Sequence, residues 1–286
     1  MHRALLLPDV LLEIFGSLRF PDRRLSWRCF AALATTCKAF HEPAMNGLWA
    51  DIEDLDALLG CVTRLHPIIY QKSTYFHGWS SQGLEPLSEL EAHQFLRHAT
   101  RVCSIRIESD THFHLLSIFP NETCLFPRLM SVSFMLQHPT NYWHLFLSPM
   151  LRCCYQESIH TDFISRCAVL EHLLIESFDQ DIADELSSLS DSVRSCKRLV
   201  TLTGPPLDLA AWEHLSNLHT LVGVVIGKTG RRISSPKLDL NNHNLNFAPF
   251  LNLATLYFRS DTAVYITTLM QHSEFPSLKE FSMDGG

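Results

Sequence analysis

Over the first fifty positions apolar residues recur at helical spacing. Leu7, Leu11, Ile14, Phe15 and Leu18 fall on one side of a short helix that Pro8 and Asp9 would start. Phe20-Pro21-Asp22 punctuates it, because a residue before proline is pushed out of helical geometry. A second helix is predicted from Arg23 or Arg24 to about Phe40, with Leu25, Cys29, Phe30, Leu33, Cys37 and Phe40 on its apolar face. A third should follow Pro43 and end near Trp49. Three short helices with short links make a small bundle, which gains stability by leaning on a neighbour.

Ile52 to Leu65 reads as another amphipathic helix, stopped by His66-Pro67. Tyr70 to Pro86 has no clear period and carries Gly78, Ser80, Ser81 and Gly83, which predicts a linker or long loop. Ser88 and Glu91 form a capping-box pair that would start a helix running to about His98.

Beyond that point a different unit recurs. Val102-x-x-Ile105-x-Ile107, Leu129-x-x-Val132-x-Phe134, Leu170-x-x-Leu173-x-Ile175, Leu199-x-x-Leu202-x-Gly204, Leu218-x-x-Leu221-x-Gly223, Leu253-x-x-Leu256-x-Phe258 and Leu278-x-x-Phe281-x-Met283 share one template. Its last three positions alternate as a short strand with one buried face, and the leading residue turns into the core ahead of it. Helices are predicted between templates, from Asn141 to Leu151, Gln156 to Cys167, Gln180 to Cys196, Leu209 to Leu215 and Asp261 to His272. Strand, helix and parallel return make the unit of a leucine-rich solenoid, where each repeat buries its apolar face by stacking on the next. The spacing is uneven, from 19 residues (Leu199 to Leu218) to 41 (Leu129 to Leu170).

The fold class is therefore α/β: a three-helix bundle over 1–50, a helical linker region over 51–98, and an irregular leucine-rich-repeat-like solenoid over 99–286. The last template begins a repeat whose helix does not arrive before Asp284-Gly285-Gly286, so the array is expected to be incomplete at its C-terminus.

Composition narrows the function classes. A formal net charge of −7 with 19% charged residues lacks the basic excess that nucleic-acid phosphates demand, so no nucleic-acid partner is expected. Pro8, Asp9 and Glu13 interrupt the first apolar run before a signal-peptide core forms, and no stretch has the roughly 18 uninterrupted apolar residues of a membrane span. Nine cysteines, an odd number, are scattered from Cys29 to Cys196, unlike a disulfide framework. A reduced chain in the cytoplasm or nucleus, without membrane contact, is the expectation.

The first fifty residues resemble an F-box. Leu7-Pro8-Asp9-Val10-Leu11-Leu12-Glu13-Ile14-Phe15-Gly16-Ser17-Leu18 is similar to the opening of that motif, Cys37-Lys38-Ala39-Phe40 to its Cys-Arg-x-Trp element, and Leu48-Trp49 to its closing Leu-Trp. Leu48-Trp49-Ala50-Asp51 followed by Leu58-Leu59-Gly60-Cys61 is similar to F-box proteins of the higher fungi, whose C-terminal part is commonly a leucine-rich-like array. The resemblance implies a substrate receptor of a cullin-type ubiquitin ligase, an SCF adaptor in the ubiquitin conjugation pathway that performs no bond chemistry itself. It implies that a Skp-family adaptor docks on Leu7, Pro8, Val10, Leu11, Ile14, Phe15, Leu18, Leu33, Cys37, Phe40 and Trp49. The target protein would meet the strand-lined face of the array, at variable template positions such as Ser133, Glu176, Thr203 and Arg259.

Metal, nucleophilic and phosphate-binding chemistry each require a residue pattern that this chain meets only in part. Cys153, Cys154, His160 and Cys167 share a neighbourhood and His112-x-His114 is a possible ligand pair, but no Cys-x-x-Cys occurs, so neither metal nor cofactor is expected. Gly78-Trp79-Ser80-Ser81-Gln82-Gly83 lacks the strand before and the helix after that a nucleophile elbow needs. Gly227-Lys228-Thr229-Gly230 contains a Gly-Lys-Thr core, yet Val222 stands where a phosphate loop has its first glycine. Two alternatives remain open: an interaction scaffold whose helical bundle caps the array with no ligase link, and an enzyme with an unrecognised Cys/His site.

Overall fold

A computed structural model describes residues 8–18, 22–70, 79–136, 142–157, 161–167, 169–176, 183–227, 247–259 and 263–283. These residues form an α/β fold with ten α-helices and nine strands. The chain divides into two compact units, residues 1–106 with 111–129, and residues 107–110 with 130–286.

In the first unit, α1 is Pro8–Ser17 and α2 is Arg23–Ala34. The Asp22 side chain caps α2 by accepting from the Arg24 backbone N–H at 2.9 Å. The second predicted helix was expected to continue to Phe40, but it stops six residues earlier, at Ala34. Thr35 and Thr36 turn their hydroxyls back onto the Ala32 and Leu33 carbonyls, each at 2.8 Å. Those local bonds compete with continuation of the helix. Cys37 is then fully extended (φ −157°, ψ 163°), and α3 runs over Lys38–Ala50 with Pro43 inside it rather than ahead of it. Leu11, Phe15, Phe30 and Ala44 form the core of these helices, with Phe15 stacked on Phe30 at 6.2 Å and edge-on to Phe40 at 5.9 Å.

The predicted helix from Ile52 to Leu65 is broken up. Asp51–Ile52 is a short strand, β1; α4 is Asp56–Leu59; and α5, His66–Ile69, begins at the very His66-Pro67 expected to end a helix. Pro67 sits in the first turn, where its missing N–H costs nothing. Residues 79–86 carry no regular secondary structure, as expected for that part of the linker. The Ser88–Glu91 capping box opens α6, Glu89–Ala99. Strand β2, Ser104–Ile107, pairs parallel with β1 through Asp51↔Ser104 and Ile52↔Ile105.

The second unit carries β3 (Ser131–Phe134), β4 (Cys153–Gln156), α7 (Thr161–Ser165), β5 (His172–Ile175), α8 (Ala183–Ser195), β6 (Thr201–Gly204), α9 (Leu209–Ser216), β7 (Gly223–Gly227), β8 (Thr255–Arg259), α10 (Ala263–Gln271) and β9 (Glu280–Met283). Each strand from β3 to β8 pairs parallel with the next in chain order. At the start of each pairing one carbonyl accepts from two successive N–H groups. Met130 O takes Arg152 and Cys153, Arg152 O takes Glu171 and His172, and the pattern continues through Glu171, Val200, Val222 and Ala254. From β3 to β6 burial alternates along each strand, with one face of the sheet inward. On the inward side Trp212 of α9 packs on Phe250 and Phe258, and its indole N–H donates to the buried Tyr265 hydroxyl at 2.5 Å.

This register revises two sequence expectations. Val222 O occupies the place of Val200 O, so the template residues of β7 are Leu221, Val224 and Ile226 rather than Leu218, Leu221 and Gly223. An eighth unit, Leu151-x-x-Cys154-x-Gln156, lies between the second and third templates and supplies β4. The helices predicted over Asn141–Leu151 and Gln156–Cys167 shrink accordingly, to a 3-10 turn at Trp143–Phe146 and to α7.

Candidate functional site

The open face of the second unit's sheet is laid out in rows. Ser133, Tyr155, Leu174, Thr203, Val225, Tyr257 and Ser282 stand side by side across β3 to β9, all of them half-buried. One row nearer the strand starts, His172 Nδ1 lies 2.8 Å from Thr201 Oγ1. Glu171 is paired there with Arg152 and lies 3.7 Å from Arg198.

Leu174, Ile175, Glu176, Thr203, Val225, Gly227 and Arg259 line a cleft of about 430 Å³ on this face. Three of the four residues expected to meet a target, Glu176, Thr203 and Arg259, are therefore brought together. Ser133 is in the same row as Thr203 but three strands away, outside the cleft. Glu176 and Arg259 each stand two residues beyond the row, one at either end of the cleft. The Tyr155 hydroxyl donates to the Glu176 carboxylate and orients it. Gly227 has φ +102°, and a Cβ there would lie 2.3 Å from the Arg259 carbonyl oxygen, so no side chain fills the gap before Arg259.

Leu174 and Val225 form the aliphatic floor, and the sequence pattern did not single them out. Their signal is a break in alternation: Leu173-Leu174-Ile175 and Val224-Val225-Ile226 are apolar at three successive positions. An outward position is aliphatic there, whereas the neighbouring outward positions Ser133, Tyr155, Thr203, Tyr257 and Ser282 are polar or aromatic.

The residues expected to meet an adaptor separate into two sets. Leu7 lies outside the described residues, and Pro8 is the first residue of α1. Leu11 and Phe15, each 6% exposed, are core; Leu18, Leu33 and Phe40 pack against that core, and Cys37 precedes α3 half-buried. Ile14 is 37% exposed and Val10 half-buried on the same helix. Trp49 lies on His98 with ring centroids 4.4 Å apart, beside a hollow of about 780 Å³ that Cys61, His66 and Tyr70 also line.

One constellation has the composition of a nucleophilic triad. His112 Nδ1 is 2.8 Å from Ser81 Oγ and its Nε2 is 3.8 Å from Asp56 Oδ1. Ser81 is wholly buried, however, and its hydroxyl donates to the Thr111 carbonyl at 3.2 Å. Trp79 covers His112 face to face at 4.0 Å, and burial holds the imidazole below the usual histidine pKa. The hydroxyl is thus shielded from substrate, and the network pins the segment around Ser81 to the unit's interior.

Cys154, Cys167 and Cys196 are buried, and burial pushes the last two thiols to about 12 and about 11 and Cys154 well above its ordinary value. They stay protonated and pack as small apolar groups. Among the described residues no cluster of three or more His, Cys, Asp or Glu could hold a metal ion. Of that neighbourhood His160, and of the Gly-Lys-Thr segment the residues after Gly227, lie outside the described residues. No helix among the described residues is long and apolar enough to cross a membrane. Comparison with known family models and with curated proteins finds no match.

Proposed function

We propose that this chain is the substrate-recognition subunit of a cullin-type ubiquitin ligase, working in the cytoplasm or nucleus. In this role α1 to α3 are an F-box-like module that docks a Skp-family adaptor, and the open strand face of a leucine-rich-repeat-like solenoid holds a target protein. The chain then acts by bringing two proteins together and performs no bond chemistry.

The observation that carries the proposal is on α1. Its inward residues Leu11 and Phe15 close a four-residue core with Phe30 and Ala44, while Ile14 keeps 37% of its surface exposed. A cluster that small has little apolar area to hold it together, and covering Ile14 on a partner adds to it. The solenoid part is supported by parallel strands in chain order with one repeated hydrogen-bond pattern. The unit at Leu151 also divides the longest interval into 22 (129 to 151) and 19 (151 to 170) residues, near the 20–29 of leucine-rich repeats.

The test is co-expression with a Skp-family adaptor, followed by size exclusion with light scattering. A one-to-one complex is expected. Ile14→Asp should weaken it at least about 30-fold, the loss of one interface anchor of about 2 kcal/mol, while leaving the chain folded. A chain that stays monomeric with adaptor in excess overturns the proposal.

A further inference from the structure

We infer that the cleft on the open face takes an extended segment of a target protein carrying a basic residue, an aliphatic residue two positions along, and an acidic residue two positions further. The inference rests on the target-binding role proposed above for this face and names the kind of segment recognised.

The geometry sets the spacing. Glu176 ends β5 and Arg259 ends β8, with β6 and β7 between them. Three inter-strand steps of about 4.8 Å place the two positions roughly 14 Å apart. An extended chain rises about 3.4 Å per residue, so four residues span nearly the same distance. Side chains of an extended chain alternate, which puts positions i, i+2 and i+4 on one side of it. A segment laid across the strands can therefore turn three side chains into the cleft together, the outer two at its charged ends and the middle one over its floor.

Each part of the cleft suits one of those side chains. Glu176 keeps lone pairs to accept from a lysine or arginine after taking the Tyr155 bond. Leu174 and Val225 present aliphatic surface in the middle, and the missing side chain at Gly227 leaves room above it. Thr203 lies between them in the row and can donate to or accept from the segment's backbone. Arg259 supplies a guanidinium for the carboxylate at the far end. A segment with like charges at both ends meets one opposed wall, and a free amino acid is too short to reach both.

Fluorescence anisotropy on the full chain tests this with labelled peptides of the pattern Gly-Ser-Lys-Ser-Leu-Ser-Glu-Ser-Gly. Comparison peptides carry lysine at both charged positions, glutamate at both, or the original charges one residue further apart. The mixed, correctly spaced peptide should bind about fivefold more tightly than each of the others, the upper range for one exposed charge pair. Glu176→Lys should move the preference to the doubly acidic peptide, and Arg259→Glu to the doubly basic one. The first shift is a gain of binding, which an unfolded variant cannot produce. Arg259→Gln should abolish discrimination at the acidic end alone. Equal binding of all peptides, or variants that keep the wild-type order, overturns the inference. Adaptor binding is read separately on the same variants and should be unchanged, so a failure of the cleft is distinguished from a failure of the adaptor role.

Discussion

The backbone of Gly227 passes so close to Arg259 that a methyl group on its Cα would stand 2.3 Å from the Arg259 carbonyl oxygen. With φ at +102°, Gly227 also holds a conformation that L side chains rarely adopt. Gly227→Ala should therefore strain β7 and push β8 aside at their ends, at a cost of about 2 kcal/mol or more. Chemical denaturation measures that loss, and the mixed-charge peptide should bind more weakly to whatever folded protein remains. An alanine variant of wild-type stability would mean that the two strand ends are not in close contact.

Leu11 and Ile14 are three residues apart on α1 but differ in role. Leu11→Asp puts a carboxylate among Phe15, Phe30 and Ala44 and should cost about 3–5 kcal/mol, enough to unravel the N-terminal helices. Ile14→Asp leaves that core intact. Far-UV circular dichroism should show helix loss in the first variant only. Equal helix content in both would place Leu11 outside the core.

Glu91 gives the first unit a defined acid response. The Arg64 guanidinium, donating to it at 2.7 Å, and the Ser88 backbone N–H at 2.9 Å hold its carboxyl at about 2, against an ordinary 4.5. Because the folded pKa is the lower one, the contribution is complete above about pH 4.5 and fades as pH falls toward 2. Glu91→Gln should destabilise by roughly 1 kcal/mol near neutral pH, as loss of a helix cap does. That difference from wild type should vanish in denaturation experiments near pH 2.

Leu151 has no exposed surface, like Leu129 and Leu170 at the same place ahead of the neighbouring strands. Leu151→Ala should cost about 2–5 kcal/mol and match Leu170→Ala, its counterpart one strand later. A surface helix end at Leu151 would instead change stability by less than about 0.5 kcal/mol. Paired denaturation curves of the two variants separate these outcomes.

Periodicity alone determined the class of the fold and many of its elements. Helices α1, α6, α8, α9 and α10 and all the template strands except that of β7 fall where apolar spacing and capping residues put them, because each signal there is local. At the site, three of the four outward positions chosen from the templates converge on one cleft. The fourth, Ser133, does not, since templates identify a face of the sheet and not the distance between strands.

What only the tertiary structure decided depends on neighbours. Strand β4 was illegible because Cys154 and Gln156 occupy its inward positions; parallel pairing with β3 and β5 holds it in place, and both residues are buried there despite a polar side chain. The β7 register was ambiguous because Leu218, Leu221 and Val224 are three residues apart and fit the template equally well until pairing with β6 selects one alignment. Apolar spacing overextends helix α2 because it continues through Cys37 and Phe40, whereas the Thr35 and Thr36 hydroxyls end the helix by bonding its last carbonyls. The pairing of Glu176 with Arg259 across one cleft, from positions 83 residues apart (176 to 259), follows from stacking strands and from nothing local to either residue.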